Sequence, residues 1–393
     1  MNSLRFGFAL LLFVKVSAPA SAAEQESAPP VPAVVVPASR SQPLVDLVRE
    51  LQRVQDGVAA GDDKAPARQI ATLLEAAALV EEIGAPICED HAGIRALVVL
   101  LLGGGDPKWA DVCAQASRKP TSRDERLLRG AAAYAAGQGN VAQNAFAGLD
   151  PFDLDASLAG QLALVRASLV AGDRPLGLHL LDVARLVGAG GLVEEAAIRQ
   201  EMFILASVGD TEKFSLLARQ YITRFPKSLY ADNFVQGFVR GAIDLGLTSD
   251  DRRFAELREA IDRLKPSAAL SVYLLIARRG LLTGEFDGAR RAAKAAQSLA
   301  SDGSQEATRA SLYDAAASVV SVRWREAGDT LRAIEPSRLP LRDTPLRDAA
   351  LALAARIGAP TTAASLDTSP SPTMKRVVAA LERAETSLSK AKR

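Results

Sequence analysis

Residues 274–296 run Leu274-Leu-Ile-Ala-Arg-Arg-Gly280-Leu-Leu-Thr-Gly284-Glu-Phe-Asp-Gly-Ala289-Arg-Arg-Ala-Ala-Lys-Ala-Ala296. They read as a helix, a turn and a second helix. Ala, Leu and Arg favour helix throughout, because they lose little side-chain freedom in it. Gly284 fits the left-handed position at a helix end, where a Cβ would be strained. Gly280 and Ala289 flank the turn, and their small size lets two helices approach closely.

The same punctuation recurs outward from this hairpin. An Ala/Leu-rich run is followed by a glycine and a polar residue at Gly61-Asp62, Gly105-Asp106, Gly139-Asn140, Gly172-Asp173 and Gly209-Asp210. Gly246 lies in a further turn, and successive glycines from 105 to 284 are 34, 33, 37, 37 and 38 residues apart. The polar residue after the glycine can cap the next helix by accepting backbone N–H groups. Ala163, Ala167 and Ala171 before the Gly172-Asp173 turn, and Ala184 after it, repeat the small-residue contact. A period near ~34 residues is that of tetratricopeptide-like helical hairpins. Alternating β-branched runs are almost absent, so strands are a poor reading. The expected fold is all-α, a tetratricopeptide-like stack of hairpins. Such stacks offer a long curved face whose usual work is binding another chain.

The repeat body is expected over residues 44–358. Its first helix shows one apolar face, Leu44, Leu47, Val48, Leu51 and Val54. Residues 1–22 read as a secretory signal peptide: Arg5, a nine-residue apolar run from Phe6 to Val14, and Ala20-Ser21-Ala22 as a cleavage site. Nine apolar residues are too few to span the ~30 Å hydrocarbon core. Residues 23–43 form a Pro-rich linker. Residues 359–373 form a second linker. Residues 374–393 read as a basic amphipathic helix, with six basic and two acidic residues. It could touch anionic lipid or an acidic partner, and a solvated tail is the simpler reading.

Composition narrows the function. The 393 residues carry 47 Lys+Arg against 46 Asp+Glu, which gives no electrostatic case for nucleic acid. Two cysteines and two histidines make a Cys/His structural metal site a poor reading. No nucleophile elbow, zinc-protease or phosphate-loop motif is present. Gly103-Gly-Gly-Asp-Pro-Lys108 lacks the Gly-Lys-Ser/Thr ending of a phosphate cradle and reads as a turn. His91 and His179 show no carboxylate or nucleophile pairing. Glu194-Glu195 and Asp250-Asp251 sit where they suit the positive end of a helix. No catalytic, cofactor-binding or metal residue is expected, and no small-molecule substrate.

Cys88 and Cys113 would lie apart. In a hairpin turning at Gly103–Gly105, Cys113 should face residues 95–97. The remaining offset, ~13 Å along a helix, exceeds the ~7 Å a disulfide allows. Two unlinked, buried thiols are therefore expected. The stretch from Phe203 to Arg240 is the densest in aromatics and arginine. Phe214, Leu217, Tyr221 and Phe225 follow helical spacing and read as core. Arg219, Arg224 and Tyr230 read as the surface candidates for a partner.

Three segments within residues 192–234 carry a resemblance: Leu192-Val-Glu-Glu-Ala-Ala-Ile-Arg-Gln-Glu-Met-Phe203, Gly209-Asp-Thr-Glu-Lys-Phe214, and Arg219-Gln-Tyr-Ile-Thr-Arg-Phe225 with Ser228-Leu-Tyr-Ala-Asp-Asn-Phe234. With Leu47–Asp56 and Arg129–Tyr134, they resemble the MotC family of periplasmic motility proteins. The resemblance runs patchily over about residues 44–350. It implies a non-enzymatic accessory of the flagellar motor, required for rotation and acting on the periplasmic part of the stator protein MotB. It supplies no defined contact residue. A general periplasmic adaptor for another envelope protein is the alternative. A helical module of a cell-wall enzyme is the third reading, and it would need a catalytic module.

Overall fold

The computed structural model describes residues 39–116, 121–170 and 172–359. The expected leader, nearly all of both linkers and the basic C-terminal segment lie outside the described residues. Among those described there are sixteen α-helices, four short 3-10 helices and no strand. The first half comprises α1 (Gln42–Ala60), α2 (Ala65–Ile83), α3 (His91–Leu102), α4 (Ser122–Ala135), α5 (Gly139–Phe146), α6 (Ala156–Leu169), α7 (Arg174–Val187) and α8 (Leu192–Val208). The second comprises α9 (Thr211–Arg224), α10 (Ala231–Asp244), α11 (Asp251–Ile261), α12 (Pro266–Thr283), α13 (Phe286–Leu299), α14 (Gln305–Ser318), α15 (Trp324–Ala333) and α16 (Thr344–Gly358).

Helices α1 and α2, α3 and α4, α6 and α7, and α12 and α13 pack as hairpins, and α8 also packs on α10, α10 on α12, and α12 on α14. That next-but-one contact is what stacks one hairpin on the next. The result is a helical solenoid. At the hairpin of α12 and α13, a Cβ built on Gly280 would lie 3.1 Å from the Ala289 methyl, so the small pair sets the helix separation. Ala163, Ala167 and Ala184 share one buried cluster, as their spacing suggests.

Gly61, Gly209, Gly246 and Gly284 take left-handed backbone as expected, but in two turns the neighbouring glycine does so. Gly104 has positive φ rather than Gly105, and Gly137 rather than Gly139. The hydrogen bonds give the reason. Gly105 N–H bonds the Leu100 carbonyl at 2.9 Å and Gln138 N–H bonds the Ala133 carbonyl at 2.8 Å. That pattern puts the left-handed residue one place earlier. Gly139 is already the first residue of α5. The capping half of the reading holds at Asp173 and Asp210, whose side chains accept from Leu176 and Lys213 N–H.

The two cysteines correct an expectation. Cys88 and Cys113 form a disulfide, with Cα atoms 5.3 Å apart. The return strand of that hairpin is not α-helical. Residues Pro107–Gln115 form a 3-10 helix, and Cys88 sits in another, Ala85–Glu89, ahead of α3. A 3-10 helix climbs ~2.0 Å per residue instead of ~1.5 Å. The chain therefore travels further back per residue and meets the turn before α3. His91 is also paired, contrary to the sequence reading. Its Nδ1 contacts the buried carboxylate of Asp124, which Thr121 also reaches at 2.8 Å.

Most aromatics in 203–240 are core, as expected, and Phe203 is the exception at 65% exposure. Tyr221 stacks on Phe234 at 3.7 Å, Phe234 on Phe238 at 5.8 Å, and Phe238 on Phe214 at 6.0 Å. Each such side chain contributes roughly 1.5–3 kcal/mol by leaving water.

Helix α1 departs from a simple linear stack. Leu44, Val48 and Leu51 enter the first-half core, Val54 and Val58 pack on Ala65, and Ala59 joins the second-half core. Beyond its sequence neighbours, Gln52 Nε2 donates to the Ser157 carbonyl at 2.7 Å. Gly61 at its C-cap lies against Lys227. One helix thus ties both halves together. At the other end, buried Asp343 accepts from Arg278 at 3.1 Å, Arg309 at 3.1 Å and Tyr313 at 2.7 Å. Burial first, and the bond to Asp343 next, push the Tyr313 phenol up to about 12. This joins the loop before α16 to α12 and α14.

Candidate functional site

Helix α8 carries three buried acids, Glu194, Glu195 and Glu201. An isolated buried carboxylate is costly, so each must be paired. Glu195 accepts from Arg199 at 2.9 Å, Tyr221 at 2.5 Å and Ser228 at 3.2 Å. Glu194 pairs with Arg224 at 2.9 Å and accepts from Gln220 at 2.6 Å. Glu201 pairs with Arg185 at 2.8 Å and with Lys213 at 2.5 Å. Burial still leaves the Glu201 carboxyl above its ordinary value, with the Lys213 and Arg185 contacts opposing. Burial also acts to raise Asp182, but bonds from Lys213 and Arg185 outweigh it and hold the carboxyl low. The guanidinium of Arg199 lies 4.7 Å above the Tyr230 ring, a cation–π contact.

Beside this network lies a groove of about 500 Å³. Its walls come from α1, the C-terminal ends of α3 and α7, helix α6 and the start of α8. Leu102, Leu164, Val165, Val187 and Val193 make it largely apolar, and Gln55 and Gln200 add amide groups. Both charged residues on its lining, Asp56 and Arg199, have internal partners. Asp56 accepts the Leu192 N–H at 3.0 Å, and burial raises its carboxyl despite that bond. Arg199 is held by Glu195. Among the described residues, no cluster of three or more His, Cys, Asp or Glu could hold a metal ion. No described helix is long and apolar enough to cross a membrane.

The family model described as Chemotaxis protein MotC matches residues 1–392. The chain belongs to the MotC family. Chemotaxis protein MotC of Rhizobium meliloti (strain 1021) is 30% identical over 338 residues, 84% of this chain and 76% of that protein. No solved structure matches the chain.

For this MotC-family chain, the sequence-chosen residues can now be placed. Arg224 and Tyr230 both come to the start of α8, one on Glu194 and the other under Arg199. Arg219 lies on α9, half-buried, with no ion-pair partner among the described residues. Sequence reasoning placed Glu194 and Glu195 correctly at a helix start. It missed their burial and the groove. The three acids of α8 stand close in sequence to the Arg, Lys and Tyr of α9, which marks the region as charged but not its acids as buried.

Proposed function

We propose that this protein is a periplasmic accessory of the flagellar motor. It binds the periplasmic part of the stator protein MotB and supports rotation without catalysis. The observation that carries the reading is the MotC family match along residues 1–392, which includes the leader-like N-terminus. The Cys88–Cys113 disulfide supports an oxidising compartment outside the cytosol. A curved helical stack with an apolar groove suits protein binding. Binding favours rotation only if the scaffold prefers the active arrangement of the stator.

Deleting the gene should give cells with normal flagellar number that do not swim, rescued by the intact gene. Normal swimming would overturn the motor reading and leave a general envelope adaptor. Lysis of peptidoglycan by the purified chain would overturn the non-enzymatic reading.

A further inference from the structure

We propose that the groove between α1, α6 and α8 is occupied by the chain's own valine-rich segment, Val31–Val36. The groove has an apolar lining and no charge left to recruit a charged ligand, since Asp56 and Arg199 are already partnered. Its volume falls in the range of specific binding pockets, ~300–1,000 Å³. Residues 27–39 carry no charge and contain Val31, Val34, Val35 and Val36 between prolines. Apolar, uncharged sequence matches an apolar, charge-neutral cavity.

The tether has the right length. Ser39 and Ser41 bond Asp90, the N-cap of α3, so the chain leaves the described body at the start of that helix. The groove begins at the other end of the same helix, at Leu102–Gly104. Twelve residues of α3 separate the two points, ~18 Å at 1.5 Å per residue. Proline-rich chain extends ~3.1 Å per residue. Counted back from Ser39, Val34 reaches ~16 Å and Val31 ~25 Å, which brackets the groove. Attachment in cis supplies an effective concentration on the order of millimolar, so weak apolar contacts suffice. The segment would act as an internal occupant that any external partner must displace.

Hydrogen–deuterium exchange on the purified chain tests this, and it does not depend on the motor reading. The reporters are amides at 102–105 and 186–196. Variant V31D/V34D/V36D should exchange there about tenfold faster than wild type. V31I/V34I/V36I should keep the protection. A synthetic peptide of residues 28–38, added to the Asp variant at about millimolar concentration, should restore it. Equal exchange in wild type and the Asp variant would overturn the proposal. So would protection that grows with protein concentration, which would make a second copy the occupant. The substitutions lie outside every described helix, so unchanged helical circular dichroism separates loss of docking from loss of fold.

Discussion

Asp56 shows how one side chain serves two elements. Its carboxylate accepts the Leu192 N–H at the start of α8 while projecting from α1. Burial raises its pKa, so the folded state holds the proton more tightly than the unfolded chain. Its contribution is therefore full below the ordinary aspartate value and is lost as pH rises through the folded value. D56N keeps the acceptor without the charge. It should be at least as stable as wild type at pH 7, with a flatter pH dependence. D56A leaves the N–H unpaired and should lose about 1–2 kcal/mol. Urea midpoints between pH 4 and pH 8 check both. Arg219 and Arg224, equivalent candidates by sequence, separate in the structure. R224E would face buried Glu194 with like charge. Because Arg224 is 42% exposed, the expected loss is about 1–2 kcal/mol rather than that of a fully buried pair. On the proposed MotB reading, R219E should leave the melting temperature unchanged and weaken MotB binding. Unaltered affinity would remove Arg219 from the partner surface. Charge and aromatic density pointed to this region in the sequence. The burial of Glu194 and Glu195 was not legible, because it depends on α9 and α10 folding back over α8.

Helices and their turns were readable because their causes are local: Ala/Leu composition, a glycine at the left-handed position, an Asp cap. Residues 85–115 were misread for a related reason. Two 3-10 segments look like helix in composition, yet their longer rise changes which residues meet across the hairpin. That difference turns two presumed free thiols into the Cys88–Cys113 bond. With a sequence separation of 25 between the cysteines, the bond should stabilise by about 3 kcal/mol on loop-entropy grounds. C88S/C113S, or reduction of the wild type, should lower the urea midpoint accordingly. Amides of residues 107–115 should exchange fastest, since that segment has no fully buried residue of its own. An unchanged midpoint after reduction would show that packing alone holds it.

A stack of hairpins in which each unit touches only its neighbours can unfold piecemeal. Here α1 works against that, because it reaches two cores and contacts residues more than 100 positions away. Nothing in the periodicity of α1 announced this long-range role. The same apolar stripe would serve an ordinary terminal hairpin, and only the path of the later helices decides what lies against it. The sequence provides reporters for a test: its two tryptophans, Trp109 and Trp324, lie in different halves. W324F leaves Trp109 to report the first half, and W109F leaves Trp324 to report the second. With α1 intact, both should show the same urea midpoint, the mark of a single cooperative unit. V54D places a charge at a fully buried position of α1, facing Ala65 and Val58. It should loosen the C-terminal half of that helix while Leu44, Val48 and Leu51 still hold its start. The two midpoints should then separate, with Trp109 unfolding first. Coincident midpoints in V54D would mean that the direct packing of α8 on α9 and α10 couples the halves without the strut.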